Sequence, residues 1–155
     1  MRIWIDNDGC PKIVRELVFR TGTRLSVKTS AVANSYMHVP PGPLYEMIVV
    51  PGSFDAADDY IATHVAAGDL VITADVPLAD RVVSSGATAL SPHGEVFDAQ
   101  NIKERLAMRN LLAELRSGGE VSGGPPPYGD GDKKRFADAL DRLATSLARA
   151  SQPPG

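Results

Sequence analysis

Residues 2–6, RIWID, form a short apolar strand pattern, and PKIVRELVF follows at once with Ile13, Val14, Leu17 and Val18 at helical spacing. The same strand-then-helix alternation recurs along the first two-thirds of the chain. LSVKTSAV and MIVV read as strands around a turn-rich PPGP segment, and a second helix is expected from about Asp55 to Ala67. DLVITAD is a buried-strand pattern, PLADRVVSSG a short helix ending at Gly86, and ATAL a last strand. Pro11 suits the first turn of the first helix and Gly22 its exit. Strands separated by helices pair in parallel and bury both faces of their sheet, which predicts a three-layer, Rossmann-like α/β fold.

From Asn101 the alternation gives way to helices. NIKERLAMRNLLAELRSGG carries Ile102, Leu106, Leu111, Leu112 and Leu115 along one amphipathic helix. GGEVSGGPPPYGDGD cannot continue it, because glycine and proline interrupt the hydrogen-bond ladder. KKRFADALDRLATSLARA then forms a final helix on Phe136, Leu140, Leu143 and Leu147. At 155 residues and 43% hydrophobic content the chain is expected to make a single domain over residues 1–150. Within it, 1–98 form the strand–helix core, 99–150 the C-terminal helices with a Gly/Pro-rich loop at 118–131, and 151–155 a flexible tail.

No apolar run is long enough to span a bilayer, and no basic segment with an apolar signal core opens the chain, so a cytoplasmic protein is expected. Cys10, the single cysteine, has no disulfide partner and fits a reducing compartment. Net charge is −3, but residues 1–100 carry 7 Lys/Arg against 12 Asp/Glu, while residues 101–155 carry 9 against 7. An acidic body with a mildly basic tail is not a protein that coats nucleic acid, although local cations can still guide a phosphate backbone.

The acids are where chemistry is expected. Ligands of an open parallel sheet bind beyond the carboxyl ends of its strands. Asp6 and Asp8 follow the first strand and Asp75 ends DLVITAD, so all three arrive at that edge. In the helix FDAADDYIATHVAAG, taking Asp58 as zero, Ile61, Ala62 and Val65 fall at about 300°, 40° and 340°, with Asp59 about 100° away. Asp58 therefore heads the apolar stripe and should point inward, where a carboxylate needs a cation. Asp80 lies one turn into the next helix and extends the set. Converging carboxylates raise one another's pKa and make a site for a hard divalent cation such as Mg²⁺ or Mn²⁺. Such an ion activates water for in-line attack on phosphorus. Aspartate also caps helices, so Asp8, Asp55 and Asp75 each have a purely structural reading, and Asp55 and Asp58 can close a box at a first turn.

IWIDNDGCPK, the Val32-Ala33-Asn34 strip, FDAADDYI, GDLVITADVPLA, PHGEVFDAQNIKERLAMRN and GGPPPYGDGDKKRFADALDR together resemble the YaiI/YqxD family of small bacterial proteins, from Met1 to about Leu143. That family is grouped by similarity with PIN-like nuclease domains, which cut RNA with clustered acids and Mg²⁺ or Mn²⁺. The resemblance implies a PIN-like fold with catalytic Asp6, Asp58 and Asp75, and metal ligands Asp6, Asp8, Asp58, Asp75 and Asp80. Substrate contacts are expected from Asn34, Arg109 and Lys133, with RNA as the partner. The family often reads alanine at Asn7 and Gly9, which removes no carboxylate. Its glycine-proline loop falls on Gly123, Gly124, Pro125 and Pro127, followed by Asp132 and then Lys133, where arginine is more typical and binds bidentately.

Other readings remain open at this point. The opening also resembles the DxD motif of haloacid-dehalogenase-type phosphatases, with Asp6 as nucleophile and Thr73 on phosphate, but no lysine lies between Thr73 and Lys103 and the Asp58-Asp59 pair comes too early. A cysteine–histidine enzyme lacks support, because His38, His64 and His93 fall in unrelated contexts. A non-catalytic RNA- or protein-binding module is the main alternative. Arg105, Arg109, Lys133, Lys134 and Arg135 form either a basic rim or a solvated face.

Overall fold

The computed structural model describes residues 1–52, 55–119 and 127–151. Six strands and five helices alternate as β1 (Arg2–Asp6), α1 (Lys12–Leu25), β2 (Lys28–Ala33), β3 (Tyr45–Val49), α2 (Ala56–His64), β4 (Leu70–Ile72), α3 (Val76–Ser84), β5 (Thr88–Leu90), β6 (Val96–Phe97), α4 (Ile102–Ser117) and α5 (Asp130–Ser151). They build one sheet in the order β3-β2-β1-β4-β5-β6. All pairs are parallel except β5–β6. The expected α/β class holds, with helices on both faces.

Side-chain alternation divides the sheet into two cores. Ile3 and Ile5 of β1 and Leu70 and Ile72 of β4 pack with Val14, Val18 and Phe19 of α1 and Phe136 and Leu140 of α5. Trp4 and Val71 pack on the other face with Ile61 of α2, Leu78 and Val82 of α3, and Ile102 of α4. Strands covered on both sides read as continuous apolar runs, which is why RIWI and LVI stand out in the sequence.

Several elements depart from the sequence reading. Gly22 does not end α1. It is a buried residue inside the helix, which runs on to Leu25 and closes with Ser26 in the left-handed conformation at φ 55°. Thr88–Leu90 is not the last strand: Val96–Phe97 returns antiparallel beside it, too short for a periodicity to register. The second helix stops at His64, three residues early, and Pro11 stands before α1 rather than inside it. The stripe on α4 is only partly covered: Ile102 is buried, Leu106, Leu112 and Leu115 are half-buried, and Leu111 is 49% exposed. The expected tail differs at Ser151, which belongs to α5, while 152–155 lie outside the described residues.

Candidate functional site

In the order 3-2-1-4, β1 and β4 are neighbours from which the chain departs toward opposite edges of the sheet. The crevice outside their carboxyl ends is the position at which such sheets bind ligands. β1 delivers Asp6 there. The segment after β4 delivers Thr73 and Asp75.

Asp6 is 6% exposed. Because Ile5 is paired with Ile72, Asp6 and Thr73 are the next residues on adjacent strands and share the α2/α3 face. Thr73 Oγ1 accordingly donates to Asp6 Oδ2 at 2.8 Å and accepts from the Asp75 backbone N–H at 3.0 Å. The other oxygen, Asp6 Oδ1, is buried without a hydrogen-bond partner. Burial pushes the Asp6 carboxyl up to about 6, against the pull of the Thr73 hydroxyl and of the nearby Asp8 N–H, which falls outside hydrogen-bond geometry, with the charges of Asp8 and Asp75 adding to the rise.

Asp58 reaches the same place from α2, beside the buried Ala57 and Ile61. Its pKa is pushed up to about 7, first by desolvation, then by the charges of Asp6 and Asp75, by a hydrogen bond it gives Asp75 when protonated, and by Asp55. Asp75 ends the β4 segment, caps α3 by accepting from the Leu78 N–H at 3.1 Å, and still faces the cleft. Asp75 thus both caps α3 and lines the cleft. Asp8 caps nothing: α1 has no side-chain cap, and Asp8 is exposed at the rim.

These residues line a cleft of about 430 Å³ together with Asn34, Ala74, Val76, Pro77 and Arg109. Asp6, Asp8, Asp58, Asp75, Asn34 and Arg109 are thus brought together from five separate segments. Asp80 and Lys133 are not. Asp80 lies about 140° around α3 from Asp75, which turns it toward α4, where its Oδ1 is 2.8 Å from Lys103 Nζ. Lys133 is exposed on α5, whose buried face packs on the opposite core. Gly123, Gly124 and Pro125 lie outside the described residues.

Pairing separates the acids further. Asp59 is bound by Arg81 at 2.8 Å and Asp80 by Lys103, whereas among the described residues no Lys or Arg pairs with Asp6, Asp8, Asp58 or Asp75. No three His, Cys, Asp or Glu side chains among the described residues already surround one ion position. The donor chemistry nonetheless fits a hard divalent cation: a buried carboxylate oxygen with no partner and two carboxyls close enough to share a proton, all oxygen ligands. A cation in place of that proton would relieve the same repulsion.

Sequence reasoning missed Thr73 in this role, since only strand register sets it beside Asp6. It also treated His93 as isolated. His93 Nδ1 lies 2.9 Å from Asp132 Oδ1, and Asp132 also accepts from the Gly129 N–H and from Arg135. These contacts hold Asp132 at about 2 and tie the start of α5 to the β5–β6 turn. Arg135 and Arg105, bound to Asp132 and Glu95, are not free members of a basic rim.

The sequence profile described as "Uncharacterized BCR, YaiI/YqxD family" matches residues 4–146. The chain belongs to the YaiI/YqxD family. A UPF0178 protein of Pseudomonas fluorescens is 52% identical over 151 residues, 97% of this chain and 100% of the relative. One of Geobacter sulfurreducens is 53% identical over 150 residues, 96% and 99%, and one of Bordetella petrii 47% identical over 150 residues, 97% and 100%. No solved structure matches. For a YaiI/YqxD-family chain, the match thus spans every segment that lines the acid cleft. No helix among the described residues is long and apolar enough to cross a membrane.

Proposed function

We propose that this chain is a divalent-metal-dependent nuclease that hydrolyses phosphodiester bonds in RNA, in keeping with the PIN-like resemblance of its sequence. One observation carries the reading: Asp6, Asp58 and Asp75 come from separate segments to the switch point of the sheet and have no cation partner among the described residues. Asp59, Asp80 and Asp132 are instead paired with cations, and Asp69 accepts from three donors. Asp6, Asp58 and Asp75 are held together against their own repulsion.

Asp6, Asp8, Asp58 and Asp75 are the residues that would hold one or two Mg²⁺ or Mn²⁺ ions. When bound, the metal neutralises phosphate charge and lowers the pKa of water. The chain's own groups do the rest. Thr73 fixes the orientation of Asp6, so that its unpartnered oxygen stays presented to the cleft. Asp58, raised to about 7 by burial and by the charges of Asp6 and Asp75, holds a proton near neutral pH that a bound cation would displace. Asn34 and Arg109 bring hydrogen-bond donors to the wall, where a phosphate oxygen accepts them. Thr73 is a poor phosphate contact, because its hydroxyl is engaged with Asp6 and the residue is 1% exposed, which weakens the phosphatase reading.

Calorimetric titration with Mn²⁺ tests the site. Wild type is expected to bind, and Asp6→Asn, Asp58→Asn and Asp75→Asn each to weaken binding at least about tenfold, the loss of one charged ligand. Unchanged affinity in all three removes the site. Cleavage of a mixed single-stranded RNA in Mn²⁺, lost in the same variants, supports the nuclease; hydrolysis of p-nitrophenyl phosphate alone replaces it with a phosphatase. Metal or RNA binding with neither reaction leaves a binding module.

A further inference from the structure

The β2–β3 connection, residues 34–44, crosses the α1 face of the sheet without a helix, and a groove opens between this loop and α1. Its volume is about 740 Å³. α1 contributes Lys12, Arg15 and Arg20 against the single acid Glu16, which Lys12 approaches only to 3.9 Å. Arg15 is held in place by a bond from Nη1 to the Cys10 carbonyl at 3.3 Å. The loop contributes Tyr36, an aromatic ring that is 71% exposed, over a floor formed by Phe19 and Tyr45 packed edge to face at 5.8 Å.

The groove lies on the α1 face of the sheet and the acid cleft on the α2/α3 face, and the two connections at the carboxyl edge bring residues of both close in the chain. Asp8 of the β1–α1 connection lines the cleft and Lys12, at the start of α1, lines the groove, four residues on; Asn34 lines the cleft and Tyr36 the groove, two residues apart. Two residues span at most about 7 Å. The two connections touch between the sites, where the Asn7 amide meets the Met37 sulfur. A strand leaving the cleft past Asn34 would cross over this contact at the carboxyl edge of the sheet to reach the groove.

We propose that the groove is the path of a single-stranded nucleic acid, with a base stacked on Tyr36 and the adjoining phosphates against Lys12, Arg15 and Arg20. The assignment deepens the nuclease reading and rests on it for the direction in which the strand runs. Exposed aromatics beside cations on a concave surface are how proteins hold unpaired strands, because every base offers a π-face and every linkage a negative charge. A groove of about 740 Å³ suits a short unpaired stretch with its bases splayed out. The acid cleft repels phosphate, so a neighbouring cationic surface supplies the attraction that it lacks.

Fluorescence anisotropy of a labelled eight-nucleotide single-stranded RNA, with EDTA present to prevent cleavage, tests this on the full chain. Tyr36→Ala is expected to weaken binding about 5- to 150-fold, the range for one stacked base. Lys12→Ala/Arg20→Ala is expected to lower the slope of log affinity against log salt by about 0.7 per cation lost. In both variants Mn²⁺ affinity and turnover of bis-p-nitrophenyl phosphate, a diester too small to reach the groove, should match wild type. Absence of RNA binding in wild type, affinities within twofold of wild type in the variants, or a preference for the blunt duplex of the same sequence overturns the groove. If the groove variants lose RNA while Asp58→Asn leaves metal binding intact, the strand path stands and the nuclease reading falls.

Discussion

Two buried aspartates at opposite ends of the central strands show what distinguishes a structural acid from a functional one. Asp69, just before β4 and 5% exposed, accepts from the Arg2 N–H at 3.0 Å, the Trp4 indole at 3.1 Å and the Ala66 N–H at 2.9 Å. Asp6, 6% exposed, has one hydroxyl and one oxygen with no partner. Asp69→Ala strands three donors and should cost about 2–4 kcal/mol in urea unfolding, while Mn²⁺ affinity of the folded protein stays at the wild-type value. Intact stability with lost metal binding would reverse the two roles. Asp58→Asn should do the opposite, abolishing tight Mn²⁺ binding while raising Tm in EDTA. Solvent screening at this half-buried carboxyl limits the gain to about 0.5–1 kcal/mol, or about 1–4 °C, and a fall in Tm would mean that Asp58 is structural. The contrast between Asp58 and Asp59 was legible from helical spacing alone, because Asp59 turns out to Arg81. Thr73 and Asp69 were not, since their partners lie 67 and 65 residues away and only the pairing of β1 with β4 brings them together.

At the scale of elements, strands with both faces buried and helices with a full apolar stripe were legible, and exceptions arise where a neighbour overrides local pattern. Arg2–Asp6 coincides with its strand pattern residue for residue. Val96–Phe97 is two residues long and exists because β5 offers it an edge, so no periodicity announces it. Gly22 looked like a helix stop, yet its role is close approach: a Cβ there would collide with Thr29 Oγ1 and lie 3.2 Å from the Val27 carbonyl oxygen. Gly→Ala inside a helix ordinarily gains about 1 kcal/mol. Here Gly22→Ala should instead lose about 1–3 kcal/mol through overpacking against a fully buried strand, measured as a lower urea midpoint at unchanged slope. Removing the hydroxyl in Gly22→Ala/Thr29→Ala should recover part of that loss; a double variant no better than additive would place the strain elsewhere.

For the whole molecule, the site depends on an arrangement that no segment encodes by itself. Asp6 and Asp75 become neighbours only because β1 and β4 are adjacent in the strand order, and four unpaired acids then share one cleft. That crowding ties global stability to pH and to divalent cations. Asp6 and Asp58 have folded pKa values of about 6 and about 7, above the 3.8 of an unperturbed aspartate, so between pH about 4 and 7 the folded state holds more protons than the unfolded one. Stability from these groups therefore falls as pH rises through that window, and the full cost is present above about 7. Asp132, held at about 2 by His93, the Gly129 amide and Arg135, acts in the other direction: its contribution is present above about 4 and is lost as pH falls toward 2. In EDTA, Tm should accordingly peak near pH 4 and fall by several degrees between pH 5 and pH 7.5. Saturating Mn²⁺ should restore the loss at pH 7.5 and do little at pH 5, where protons already occupy the carboxyls and compete with the ion. Asp58→Asn should flatten the upper part of the EDTA profile. A Tm that rises steadily from pH 5 to 7.5 without metal would mean that the acids in the cleft are neutralised by the protein itself, and the case for a metal-bearing site would fail with it.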